Sequence, residues 1–112
     1  MGKCAAAMFA AAERRAGLIY VPAAVMWAYT LLARAGRIHL QCSIRDFFAD
    51  LFSNAAYPPL DLTAEQIYLA GAVRPNADPF GALICAAARH LDLPLLTRDR
   101  DIEESRLVSV VW

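Results

Sequence analysis

The sequence predicts an α/β domain with a mainly parallel sheet, and three observations carry that prediction. Segments of helical periodicity alternate with short apolar or β-branched runs, in the order α, β, α, α, β, α, α, β, α-turn, β. The chain has 112 residues, 59% of them apolar, with no internal repeat and no linker, so residues 1–112 form one domain around a single core. The stretch from Asp78 to Asp99 then joins a helix to a short buried strand, which must fold back along the helix to bury its apolar stripe.

Residues 3 to 15 are alanine-rich and predict a helix that ends before Gly17, a natural C′ residue. Leu18-Ile19-Tyr20-Val21, bounded by Gly17 and Pro22, reads as a strand. Pro22 opens a helix that runs to about Ala35 and stops at Gly36, and Ile38 to Cys42 is an extended link. Ser43 caps the next helix, in which Ile44, Phe47, Phe48, Leu51 and Phe52 follow helical spacing as core or as a subunit interface. Tyr57-Pro58-Pro59 breaks that helix and Leu60-Asp61-Leu62 is a short strand. Thr63 with Gln66 has capping-box spacing for a helix from Ala64 to about Ala72.

The loop from Val73 to Ala77, with Pro75 and Asn76, delivers the chain to Asp78. Asp78 caps the following helix and Pro79 takes its first position. Phe80, Leu83, Ile84, Ala87 and Leu91 make the stripe of that helix, and Leu93 to Thr97 is the strand after it. Asp101 and Glu104, again at capping-box spacing, predict a short helical turn with Asp101 as its cap, and Leu107 to Val111 is the last strand. The helix start and the strand end share one edge, which brings Asp78 level with Asp99. Two acids at the carboxyl end of a strand are where open α/β folds place their chemistry. The plainer reading, in which Asp78 is only a cap and Asp99 a solvated turn residue, stands beside it.

Eleven basic and eleven acidic residues cancel, so no overall field draws the chain to nucleic acid or membrane, and any RNA contact must be local. Ten of the basic residues are arginine, suited to bidentate contacts with phosphate or carboxylate and equally to an ordinary charged surface. Cys4, Cys42 and Cys85 have no metal-ligand spacing and read as buried thiols of a reducing cytoplasm. His39 and His90 stand outside any ligand pattern. No run approaches the roughly 18 consecutive apolar residues of a membrane span.

Asp78-Pro79-Phe80, a helix of small residues, and then Leu93-Pro94-Leu95-Leu96-Thr97-Arg98-Asp99-Arg100-Asp101-Ile102 resemble the C-terminal half of a PIN domain, closest to the VapC-like toxins of toxin–antitoxin pairs. The likeness extends more loosely to Gly17–Ile38, Leu60–Glu65 and Val108–Trp112. It implies a three-layer α/β/α sandwich whose acids gather Mg²⁺ or Mn²⁺ to cut RNA. It also implies an RNA substrate, a cognate antitoxin and a homodimer as partners. Hard cations want carboxylate oxygen, and a bound metal acidifies water into a nucleophile.

On this resemblance Asp78 and Asp99 map to acids of the site, Thr97 matches the hydroxyl beside the last acid, and Asp101 is a further candidate metal ligand. Two family acids are unmatched. Such domains open with a strand ending in Asp, and this chain begins with what resembles the following helix. They also carry a helical Glu after a Trp-like position, where Trp27 is followed by Ala28. The implied fold thus lacks its first central strand, either because the chain is incomplete at its N-terminus or because the domain is reduced. In the second case Leu18–Val21 would pair directly with Leu95–Thr97 or borrow a partner's strand. Two functions follow: a metal-dependent endoribonuclease with a minimal site, or a degenerate module that binds an antitoxin or dimerises without cleaving RNA.

Overall fold

The computed structural model describes residues 2–112; the chain start at Met1 lies outside them. The elements follow in the predicted order: helix α1 (Lys3–Glu13), strand β1 (Val21–Pro22), helices α2 (Ala23–Arg34) and α3 (Ile44–Ser53), strand β2 (Pro59–Leu60), helices α4 (Ala64–Ala72) and α5 (Pro79–Leu91), strand β3 (Leu95–Leu96), helix α6 (Arg100–Ser105) and strand β4 (Val110–Val111).

Among the described residues all pairing is parallel, as predicted, but the strands form two separate two-stranded sheets and not one continuous sheet. Val21 and Pro22 of β1 face Pro59 and Leu60 of β2, while Leu95 and Leu96 of β3 face Val110 and Val111 of β4. Leu18–Val21 therefore does not pair with Leu95–Thr97. Every strand is shorter than predicted, and proline is one reason. Pro22 and Pro59 have no N–H to give, and Pro94 stands immediately before β3. Beyond the paired residues, Ile19 N–H still donates to the Ala56 carbonyl at 2.8 Å and Thr97 N–H to that of Val111 at 3.2 Å.

Helix ends show where local chemistry governs. Ser43 and Thr63 cap α3 and α4 by accepting from Asp46 N–H and Gln66 N–H, at 3.0 and 3.3 Å. Gly36 takes positive φ after α2, as its position predicts. At α1 the left-handed residue is Arg15 and not the expected glycine, because the helix closes two residues early, with Ala16 N–H donating to the Ala11 carbonyl at 2.8 Å.

One core cluster joins Ala12, Ala56 and Tyr57 with Phe9, Ile19, Val21 and Leu51. A second joins α4 to α5 through Ala70, Ala82 and Ala86, flanked by Leu69 and Leu83. The deepest face of α5 is thus its small-residue face, with Cys85 fully buried, and the predicted stripe of larger residues lies to its side, Leu91 being exposed. Small side chains let the two helices approach closely. The aromatic stripe of α3 packs within the chain: Tyr29 stacks on Phe47 with centroids 5.2 Å apart, and Phe48 sits edge-on to Phe47 and stacked on Phe52.

The first turn of α1 closes on Trp112, whose backbone oxygen accepts from both Cys4 and Ala5 N–H at 3.1 Å. A Cβ on Gly2 would lie 2.3 Å from the Trp112 backbone. Gly2→Ala should therefore push Trp112 off the helix and lower the stability measured by urea unfolding by about 1–3 kcal/mol. An unchanged midpoint would show that this junction is not formed in solution.

Candidate functional site

Two short loops with the same internal construction meet at one edge of the domain. In the first, Asn76 Oδ1 accepts from Asp78 N–H at 2.8 Å, and Asp78 Oδ1 accepts from Phe80 N–H at 3.0 Å to cap α5. In the second, Thr97 Oγ1 accepts from Asp99 N–H at 3.1 Å, and Asp99 Oδ1 accepts from Asp101 N–H at 2.9 Å to cap α6. Each is a tandem of side-chain turns two residues apart, the geometry Asn, Asp and Thr adopt most readily. The loops are joined by Asn76 Nδ2, which donates to Asp101 Oδ2 at 2.8 Å.

This construction corrects one expectation. Asp101 does not cap α6; Asp99 does, because Thr97 turns the chain two residues earlier and presents the Asp99 carboxylate to the helix start. Asp101 is released from capping and reaches back to Asn76. Asn76 bonds to Asp78 N–H on one side and to Asp101 on the other, and so links the turn before α5 to the first turn of α6. Asn76 itself was not visible as a site residue in the sequence. The only signal was an Asx-turn residue two positions before a capping Asp.

Asp78, Asp99 and Asp101 are exposed, and Thr97 is half-buried. The two capping acids engage Oδ1, which leaves Oδ2 of each for another partner. Beneath this edge the Cys85 thiol is held above its ordinary range by burial first and then by the negative charge of Asp99, partly offset by Arg89. Burial and a raised pKa make it an inert core thiol. Cys4 and Cys42 are exposed, contrary to the expectation of three buried thiols, because α1 and the 38–42 link turn those positions outward. A cavity of about 640 Å³ lies at the other ends of α5 and α6, lined by Arg89, Asp92, Glu103 and Arg106 among others, and shares no residue with the acid edge.

The family model for the PIN domain matches residues 4–106. The chain belongs to the PIN domain family. No curated protein and no solved structure matched it. Membership places this PIN domain in a nuclease-like family whose members generally use divalent metals. The oxygen donors present have the right chemistry for a hard cation, yet among the described residues no three His, Cys, Asp or Glu are gathered closely enough to hold one. Ala28 follows Trp27 on α2 and brings no carboxylate. Among the described residues no helix is long and apolar enough to cross a membrane.

Proposed function

We propose that this PIN domain is a VapC-like ribonuclease of the reducing cytoplasm whose metal site is completed by its substrate. The observation that carries this reading is that Asp78 and Asp99 cap helices from two loops joined by the Asn76–Asp101 bond, with the Oδ2 atom of each uncommitted to its cap. Mg²⁺ is commonly held by one or two carboxylates plus substrate phosphates, which is the arrangement that two acids allow. Asp78 and Asp99 would hold Mg²⁺ or Mn²⁺ together with phosphate oxygens of RNA. When bound, the ion supplies a Lewis acid for the phosphodiester and an acidified water. Thr97 fixes the Asp99 backbone, and its hydroxyl hydrogen remains free to donate to a phosphate oxygen. On the same reading a cognate antitoxin covers this edge and the working unit is a homodimer.

The test is cleavage of structured RNA by the unmodified chain with Mg²⁺ or Mn²⁺, which EDTA should stop. If metal-dependent cleavage is missing while RNA or antitoxin binding persists, the chain is a binding module of the family and not a nuclease.

A further inference from the structure

We infer that Asn76 is a positioning residue: its neutral amide holds the two acid-bearing loops together in the free protein, where a cation would otherwise be needed. The activity consequence rests on the proposed function; the structural one does not. Asp78, Asp99 and Asp101 are like charges on neighbouring turns, and without a bridge they favour separation. Asn76 joins them by acting at once as acceptor and donor, 2.8 Å from Asp78 N and 2.8 Å from Asp101 Oδ2. Reversing its amide would set Oδ1 against the Asp101 carboxylate and the NH₂ against the Asp78 N–H, so the network fixes its orientation. The bond spans 25 residues of sequence and ties the entry of α5 to the first turn of α6. At the opposite end Arg89 donates to the Leu107 carbonyl at 2.7 Å, so the α5–α6 pair is pinned at both ends.

Asparagine can be exchanged for its isosteric acid without touching the acceptor side. Asn76→Asp keeps Oδ1 for Asp78 N–H and replaces the donor with a carboxylate facing Asp101. The bridge then requires an added cation. In thermal unfolding without RNA, the wild type should respond little to EDTA or millimolar Mn²⁺. Asn76→Asp should melt about 4–8 °C lower and recover with Mn²⁺ but not with potassium chloride of equal ionic strength. Asn76→Ala should melt lower and not recover with Mn²⁺. The double variant Asn76→Asp/Asp101→Asn re-creates an amide–carboxylate pair with its direction reversed, and should recover the wild-type midpoint without metal.

That rescue separates a specific bridge from a general loss at either position. An Asn76→Asp midpoint equal to the wild type's in EDTA, or a double variant that stays low, overturns the inference. If RNA cleavage is absent throughout while these shifts appear, the ribonuclease reading fails and the bridge stands. If cleavage is present, Asn76→Ala should lower kcat on the order of 10²-fold with KM little changed, the cost of misplacing acids by about 1 Å. Undiminished kcat removes the positioning role.

Discussion

Asparagine in place of Asp99 is expected to lower metal-dependent RNA cleavage by at least about 10²-fold while leaving stability within about 0.5 kcal/mol of the wild type. The two halves of that expectation come from different properties of one side chain. Asn caps a helix as well as Asp does, so the bond from Asp101 N–H, 2.9 Å long, should survive the change. The favourable interaction of a carboxylate with the helix start is lost, but so is repulsion from Asp101, and both are small at an exposed site. A neutral amide, in contrast, no longer supplies charge to a cation. On the proposed reading Asp78 and Asp99 alone serve the metal, so each would supply several kcal/mol of transition-state stabilisation, and each 1.36 kcal/mol is tenfold in rate. Asp99→Ala should lose the same activity and, in addition, about 1 kcal/mol of stability with the cap. Cleavage retained within about threefold in a folded Asp99→Asn protein would remove Asp99 from the chemistry and leave it a cap.

What could be read ahead of the structure divides by the range of the interaction. Ser43, Thr63, Asp78 and Pro79 mark helix starts because a cap and its target N–H lie within three residues, and all four do so as predicted. The element order was legible for the same reason. Strand lengths were not, because a ladder needs a partner elsewhere in the chain, and here Pro22 meets Leu60 while Val21 meets Pro59, which has no N–H. The capping-box spacing points to Asp101 as the α6 cap, two residues past the true one, because Asp99 and Asp101 are both acids at suitable positions. Only the Thr97 turn decides between them. Asn76 carries no local signal of its role because its second partner lies 25 residues away in sequence. Asp78, Asp99 and Thr97 stand in the sequence as candidate oxygen donors, but that no three acids are gathered among the described residues is a property of distances alone.

Gln66→Met should stabilise the domain by about 1–3 kcal/mol, although it deletes a polar group at a position where a capping box was expected. Only half of that box forms. The Gln66 backbone N–H donates to Thr63 Oγ1 at 3.3 Å, while the side chain turns inward, is 2% exposed, and leaves Nε2 buried without a partner. A buried donor of this kind costs about 1–3 kcal/mol relative to one that is paired, and an apolar group of the same shape avoids the cost. Methionine keeps the unbranched stem and a similar helix propensity, and the cap bond uses only the backbone, so neither effect offsets the gain. The melting midpoint should rise by about 4 °C or more. Gln66→Ala tests the packing side: it removes the orphan too, but leaves a void beneath α4 that should cancel the gain or reverse it. A fall in the midpoint with methionine would mean that the amide is satisfied in solution and that Gln66 belongs to a polar contact holding α4 in place.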